Sequence, residues 1–186
     1  MQNNILDILK QHELIPVVTI NSIEEVDSVY KKLISQNITC IEITLRNKVA
    51  WEAIGLFKSK YGDKFSVGVG TITSVEHIER CKNLKVDFMV SPGLNDKMIK
   101  PFEDSGIAFL PGVSTPSEII SAMSNGWRCF KFFPANLFGG LSALKTYGNV
   151  FSEVIFCPTG GINGDNFKAY LALDNVYSVG GSWVMK

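Results

Sequence analysis

Residues 15–44 read IPVVTINSIEEVDSVYKKLISQNITCIEIT, and this stretch contains a complete strand–helix–strand unit. Its two ends, Ile15–Ile20 and Thr39–Thr44, are rich in β-branched residues, which favour extended strands. Between them, Ser22–Ser35 has acidic residues at its start and lysines near its end, which is the charge order that the helix dipole favours. The pattern predicts two parallel strands joined by a crossover helix.

Similar β-rich runs recur at regular intervals along the whole chain, with helical stretches between them. The runs are Ile15–Ile20, Thr39–Thr44, Phe65–Gly70, Val86–Val90, Ile107–Leu110, Cys129–Phe133, Val154–Cys157 and Val176–Val179. Eight such repeats predict an α/β protein whose strands close into a (β/α)₈ TIM barrel. An open doubly wound sheet is the alternative, but no G-x-G-x-x-G motif follows the first run.

The two ends of the chain add detail to this single domain, residues 1–186. Apolar residues at helical spacing before Ile15, among them Ile5 and Leu9, predict an extra N-terminal helix that plugs the bottom of the barrel. After the eighth run only Gly180–Lys186 remain, which is too short for the helix that would follow the last strand. We therefore expect a barrel without its final C-terminal helix.

Composition excludes several classes of function. Eighteen basic and eighteen acidic side chains cancel, so the chain lacks the basic excess of a nucleic-acid-binding protein. No apolar stretch has the length of a membrane span. The four cysteines form no C-x-x-C pair, and neither histidine lies near a predicted strand end. These features predict a cytoplasmic protein with reduced, buried thiols and no metal site.

The second run continues as Cys40-Ile41-Glu42-Ile43-Thr44-Leu45-Arg46, and its polar residues fall on one face. A parallel strand that is covered on both sides is normally apolar, so Glu42, Thr44 and Arg46 need a reason to be there. They can project into a ligand pocket at the carboxyl end of the strand, where such barrels carry their active sites. Alternatively, Glu42 and Arg46 form an internal ion pair.

The sixth run, Cys129-Phe130-Lys131-Phe132-Phe133-Pro134, places a lysine in the middle of an aromatic strand. If Lys131 points into the barrel, poor solvation disfavours its ammonium form and leaves an amine that can attack a carbonyl carbon. Alternatively, its long side chain reaches out to water at the strand end.

Glycine pairs follow the last two runs, at Gly160-Gly161 and Gly180-Gly181. The loops after strands seven and eight commonly bind phosphate in these barrels, because glycine lets backbone N–H groups approach an anion closely. Tight turns that need positive φ are the alternative explanation. Thr71, at the end of the third run, could orient a carboxylate.

Together these strand-end motifs resemble the family of 2-keto-3-deoxy-6-phosphogluconate (KDPG) and 4-hydroxy-2-oxoglutarate (KHG) aldolases. The resemblance extends over nearly the whole chain, and two of its motifs, F-K-F-F-P-A and C-P-T-G-G, are highly specific. The motifs are Glu42–Arg46, Gly68–Thr71, Ser91–Gly93, Pro111–Thr115, Phe130–Ala135, Cys157–Ile162 and Gly180–Trp183.

The resemblance implies a class I aldolase that acts through a lysine Schiff base on a keto acid, without metal or cofactor, as a homotrimeric TIM barrel. It implies Lys131 as the Schiff-base lysine and Glu42 as the general acid and base. The implied substrate-binding residues are Arg46 and Thr71 for the pyruvate carboxylate, Pro92 and Phe133 around the pyruvyl carbons, Thr159 near the hydroxyls, and Gly160, Gly161, Gly181 and Ser182 for the phosphate.

Two other functions fit the same barrel pattern. A sugar-phosphate isomerase or synthase would use similar glycine loops without a covalent lysine, and a non-catalytic barrel would only bind a sugar phosphate. Reduction of a pyruvate adduct on Lys131 distinguishes the aldolase from both.

Overall fold

The computed structural model of the protein describes residues 2–186, apart from the side chain of Asn3. All strand pairs in this part of the chain are parallel. The strands are β1 (Leu14–Val18), β2 (Cys40–Thr44), β3 (Ser66–Gly70), β4 (Phe88–Val90), β5 (Ala108–Leu110), β6 (Gly112–Val113), β7 (Cys129–Phe132), β8 (Ile155–Pro158) and β9 (Val179–Gly181).

Helices alternate with these strands. They are α1 (Gln2–Gln11), α2 (Glu25–Ile34), α3 (Ala50–Tyr61), α4 (Val75–Leu84), α5 (Asp96–Ser105), α6 (Pro116–Ser124), α7 (Gly140–Val150) and α8 (Phe167–Leu171), with 3₁₀ turns at Ala135–Phe138 and Trp183–Met185. The predicted start of α6 is confirmed, because Thr115 and Glu118 form a complete capping box ahead of Pro116. None of the helices within residues 2–186 combines the length and apolarity that crossing a bilayer requires.

The strand order is that of a curled parallel sheet. β1 lies between β2 and β9, so the first and last strands are neighbours. Six strands run in the order β5-β4-β3-β2-β1-β9, and β6-β7-β8 form a second ladder. Two isolated parallel bridges, Phe156 to Val176 and Thr159 to Gly180, connect β8 to the β9 region. This order differs from the open doubly wound alternative.

Most predicted strands differ from those observed by one or two residues at an end, and two differ in a more informative way. The fifth run continues beyond Leu110 but is divided into β5 and β6 by Pro111, which has no N–H to donate to a ladder. The eighth strand begins at Val179 rather than Val176, because pairing with β1 starts where Leu14 faces Val179. Val176 is buried in the helix-side core and pairs with Phe156 through an isolated bridge, so this part of the run contacts β8 but does not pair with β1.

Buried apolar residues form two clusters on opposite sides of the sheet. The larger cluster lies between the strands and the surrounding helices. The smaller one, which we call the floor cluster, joins α1 to inward-facing strand residues. It consists of Ile5, Leu9, Ile15, Cys40, Phe88, Val90, Ala108, Leu110, Cys129 and Cys157. Because Ile5 and Leu9 are fully buried in it, α1 packs against the strand ends as an amphipathic helix does.

Candidate active site

The second strand, β2, alternates as the sequence predicted. Ile41 and Ile43 belong to the helix-side cluster, whereas Cys40 belongs to the floor cluster on the other face. Glu42 shares the face of Cys40 because side chains alternate with period two, and only 3% of its surface is exposed. A carboxylate is therefore enclosed inside the curled sheet at the middle of β2.

Strand β7 alternates in the same way. Phe130 and Phe132 pack in the helix-side cluster, and Cys129 lies in the floor cluster. Lys131 shares the face of Cys129 and is 5% exposed. The lysine consequently does not reach out to water at the strand end.

The two buried side chains meet inside the curled sheet. Lys131 Nζ donates to Glu42 Oε1 at 3.2 Å and lies 3.4 Å from Oε2. The Phe133 ring centroid is 5.3 Å from the same nitrogen. Glu42 thus pairs with Lys131, in place of the alternative ion pair with Arg46. The carboxylate lies within reach of a proton on the amine, which is the geometry that acid–base catalysis at a nucleophile requires.

A cysteine lies next to this pair but differs from it chemically. Cys157 on β8 faces Lys131 in register and is buried. Burial raises the pKa of the Cys157 thiol to about 12, and the opposing effect of the Lys131 charge is smaller. The thiol therefore stays protonated at neutral pH and is a poor nucleophile.

Threonine side chains fill the interior beside β1 and β2. Thr44 is fully buried, and its Oγ1 donates to the Val18 carbonyl oxygen at 3.2 Å. The Oγ1 atoms of Thr19 and Thr44 lie 2.8 Å apart and share a hydrogen bond. Thr19 was not among the predicted site residues, although its position as a polar residue ending an apolar strand is a signal of the kind used for Glu42.

Arg46 follows β2 and lies at the surface. Together with Thr19 and Ser182 it lines a cavity of about 450 Å³, which is also bordered by the last residues of β1 and by one side of α2. The structure thus brings two predicted substrate-binding residues, Arg46 and Ser182, to one opening.

Three more predicted residues lie in the loops after other strands. Thr71 directly follows β3 and has a φ of +69°, an unusual conformation for a residue other than glycine. Pro92 is exposed, and its backbone packs so closely on Gly112 that a Cβ there would overlap it. Phe133 is half-buried above Lys131, and its carbonyl oxygen accepts a 2.7 Å hydrogen bond from Ser114 Oγ.

The glycine loops come together at the ends of β8 and β9. Thr159 is buried and bridges to Gly180, and a Cβ at Gly180 would overlap Thr159 Oγ1. Gly160 and Gly161 have φ values of +100° and +73°, so both glycines are required by backbone conformation. Gly181 is buried and Ser182 is exposed. The positive φ expected of tight turns is thus found at Gly160 and Gly161, whereas Gly180 and Gly181 belong to β9.

Potential metal ligands are dispersed. Over residues 2–186, no three His, Cys, Asp or Glu side chains are grouped so that they could hold a metal ion. The four cysteines are all buried as free thiols.

Comparison with known proteins identifies the relatives of this chain. Residues 5–186 match the family described as "Aldolase: KDPG and KHG aldolase". The chain is 39% identical over 178 residues to the 2-dehydro-3-deoxy-phosphogluconate aldolase of Dickeya dadantii (strain 3937), a match that covers 96% of this chain and 83% of the relative.

Two solved structures have closely similar folds. One is KDPG aldolase from Legionella pneumophila, with pyruvate captured at low pH as a covalent carbinolamine intermediate. Its TM-score is 0.91 at 36% identity, covering 95% of this chain and 85% of the other. The second is the 2-keto-3-deoxy-6-phosphogluconate aldolase of Zymomonas mobilis ZM4 with 3-phosphoglycerate. Its TM-score is 0.93 at 34% identity, and the match covers 98% of this chain and 87% of the other. Because the chain is so similar in fold to these aldolases, its curled sheet is identified as a TIM-like barrel.

The matches confirm the aldolase family that the strand-end motifs predicted. They extend over nearly the whole chain, as the motifs did. The chain belongs to the KDPG and KHG aldolase family, whose members are carbon–carbon lyases.

Proposed function

We propose that this protein cleaves 2-keto-3-deoxy-6-phosphogluconate to pyruvate and glyceraldehyde 3-phosphate through a Schiff base on Lys131. The observation that carries the proposal is the buried contact between Lys131 Nζ and Glu42 Oε1, 3.2 Å apart. It joins a nucleophile and an acid–base group on two strands, next to the carboxyl-end loops where TIM-like barrels carry their chemistry.

Lys131 attacks the substrate as an amine. Its Nζ, after giving up a proton to Glu42 or to water, adds to the C2 ketone of the substrate and forms a carbinolamine. Return of that proton to the carbinolamine hydroxyl expels water and gives an iminium ion, and it leaves Glu42 as a carboxylate. The iminium withdraws electrons from C3, so the C3–C4 bond can break with its electron pair left on the pyruvyl fragment as an enamine.

Glu42 moves the protons, directly or through a water. As the bond breaks, its carboxylate removes the proton of the C4 hydroxyl, and glyceraldehyde 3-phosphate leaves. The carboxylic acid then protonates the enamine at C3. Addition of water to the resulting iminium frees pyruvate and regenerates the lysine, so one residue acts first as base and then as acid.

The two ends of the substrate are held by different loops. Arg46 and Thr71 bind the carboxylate, since a guanidinium presents two parallel donors to a carboxylate. Pro92 and Phe133 enclose the pyruvyl carbons beside Lys131, and Phe133 already lies against the amine. Holding the ketone against the nucleophile lowers the entropic part of the barrier.

The glycine loops bind the far end of the substrate. Gly160, Gly161, Gly181 and Ser182 supply donors to the phosphate, and Thr159 contacts the hydroxyls. The bridge between Thr159 and Gly180 supports this assignment because it brings both loops to one place. The family also includes KHG aldolases. The same lysine chemistry would cleave 4-hydroxy-2-oxoglutarate to pyruvate and glyoxylate, with less help from the phosphate loops.

We further propose the finer architecture that the resemblance implies. The chain is a (β/α)₈ barrel in which the extra helix α1 closes the floor, and its assembly is a homotrimer. The protein works in the cytoplasm, which the four free, buried thiols support, since reducing compartments keep thiols in this form.

Trapping with pyruvate and borohydride tests the proposal. Reduction of the imine leaves pyruvate irreversibly attached, and we expect a single adduct on the peptide that contains Lys131, located by mass spectrometry. Lys131→Ala should form no adduct and lose turnover by more than about 10³-fold.

Lys100→Ala is the matched control, because Lys100 is an exposed lysine on α5 paired only with Asp104. This variant should retain both the adduct and full turnover. An isomerase, a synthase or a passive binder would form no adduct. Turnover that survives Lys131→Ala, or is lost on adding EDTA, would contradict the proposal.

A further inference from the structure

The inward face of β3 carries almost no side chain near its carboxyl end. Val67 and Val69 pack outward in the helix-side cluster. The alternate positions, Gly68 and Gly70, are glycines that face the interior. Two successive inward positions of a buried strand therefore present bare backbone, which leaves space that neighbouring side chains can fill.

The space above Gly70 is filled by Glu42. A Cβ built on Gly70 would overlap Glu42 Oε1 and would lie 2.7 Å from both Cγ and Cδ of the same side chain. Real Cβ atoms essentially never approach other heavy atoms that closely. The Glu42 carboxylate consequently lies directly against the backbone of β3 on its way to Lys131.

Backbone conformation does not explain this glycine. Gly70 is the last residue of β3, in register with Thr44, and its carbonyl oxygen accepts a 3.0 Å hydrogen bond from Leu45 N–H. Alanine can adopt an extended strand conformation, in contrast to the positive φ required at Gly160 and Gly161. What Gly70 contributes is the absence of a methyl group.

We propose that Gly70 is a positioning residue for Glu42. The missing side chain lets the carboxylate lie against β3 and reach Lys131 Nζ. The inference rests on the proposed function, in which Glu42 moves protons for a Schiff base on Lys131. Glu42 is 3% exposed, so little free space surrounds it. A methyl group at position 70 would therefore displace the carboxylate from the amine or push β2 and β3 apart.

The variant Gly70→Ala tests the catalytic consequence. We expect kcat for cleavage to fall by about 10²-fold or more, which is the range that a positioned acid–base group contributes. KM should change much less, and the pyruvate adduct on Lys131 should still form. The limb of the pH–rate profile that is absent from Glu42→Gln depends on Glu42. Gly70→Ala should lose the same limb.

Two glycine-to-alanine variants serve as matched controls. Gly68 is the register partner of Glu42, but the nearest atoms to a Cβ at Gly68 belong to the Phe88 ring, so Gly68→Ala strains the same strand by overlap with a different side chain. It should lower the thermal midpoint and leave the shape of the pH–rate profile unchanged. A Cβ at Gly55 in α3 would meet only Leu84 Cδ2, at an ordinary 3.5 Å. Gly55→Ala should therefore leave the profile unchanged and should keep the midpoint at or above the wild-type value, because alanine favours a helix interior more than glycine does.

A double-variant cycle tests whether the Glu42 side chain occupies the space of a methyl group at position 70, even if Gly70→Ala alone folds poorly. Glu42→Ala removes the atoms that the new methyl group would overlap. In that background Gly70→Ala should cause no further loss of thermal midpoint or kcat, whereas in the wild type it should lower both.

Two results would overturn the inference. One is a Gly70→Ala enzyme with the wild-type kcat and pH profile. The other is a double variant whose midpoint falls by the sum of the two single losses. Failure of the wild-type chain to form any adduct on Lys131 would instead overturn the proposed function, and the thermal cycle would still decide whether Gly70 and Glu42 share one space.

Discussion

Two levels of the same interior face differ sharply in chemistry. On β2, Cys40 lies in the floor cluster and Glu42 lies one inward position higher. On β7, Cys129 and Lys131 have the same relation. Two residues along a strand span only about 7 Å. Over that distance the interior changes from an apolar cluster sealed by α1 to a pair of opposite charges.

The difference shows that the fold and the chemistry depend on separate layers. The floor cluster buries apolar surface, which stabilises the folded state in proportion to its area. Lys131 and Glu42 are both enclosed, so each loses its hydration on folding, and their mutual attraction offsets that cost only in part. We therefore expect the upper pair to contribute activity at little or no gain in stability, and the floor to do the reverse.

Replacing the charged pair should separate the two layers most clearly. Glu42→Met or Lys131→Met alone leaves one buried charge without its partner, which costs about 3–5 kcal/mol of unfolding free energy. The double variant removes both charges and should recover most of that loss. All three variants should lose turnover.

Urea unfolding of the four proteins measures this expectation. Equal destabilisation in the double and the single variants would mean that the pair stabilises the fold, contrary to the comparison.

The opposite result is expected for the floor. Leu9 is fully buried in the floor cluster, so Leu9→Ala creates a cavity and should cost about 2–5 kcal/mol of unfolding free energy. The kcat of the molecules that remain folded should stay near the wild-type value. Urea unfolding combined with active-site titration by pyruvate and borohydride measures both quantities.

Leu137→Ala is the control for this measurement. It makes the same substitution at a residue that is 74% exposed, so its unfolding free energy should change by less than about 0.5 kcal/mol. A floor variant that lost kcat as strongly as stability would show that the two layers are coupled.

Local sequence correctly predicted which face of the strand Glu42 and Lys131 each occupy. Period-two alternation placed Glu42 and Lys131 on inward faces because each is the charged residue of a strand that carries no other charge. Alternation alone cannot predict which inward residues meet, since that depends on the stagger of strands far apart in the chain. The contact between these two residues, 89 positions apart, became visible only in the folded protein.

Other features could not be predicted from the sequence, because they too depend on how distant segments pack together. The hydrogen bond between Thr19 and Thr44 joins neighbouring strands whose register depends on the whole sheet. The G-V-G pattern of β3 is visible in the sequence, but only the position of Glu42 shows why Gly70 carries no methyl group. The start of β9 at Val179 depends on its pairing with β1, which the apolar run around Val176 does not reveal.

The smallest expected effect concerns the thiols, which test whether burial acts alike on both sides of the sheet. Burial raises the pKa of Cys129, in the floor cluster, to about 11 and that of Cys81, in the helix-side cluster, to about 12. In the unfolded chain each thiol ionises near pH 9. Between about pH 9 and the folded pKa the unfolded state binds fewer protons, so the unfolding free energy should fall as pH rises.

The expected loss at pH 10 is roughly 1 kcal/mol for each thiol, and none is expected below pH 8. Cys81→Ala and Cys129→Ala should each flatten the decline by a similar amount, measured by urea unfolding from pH 7 to pH 10.5. Because other groups also titrate in this range, the informative quantity is the difference in slope between variant and wild type. Similar differences for both variants would mean that burial alone governs these thiols. Unequal differences would mean that the nearby charges, Lys10 for Cys129 and Arg80 for Cys81, which lower the pKa of each thiol, also matter.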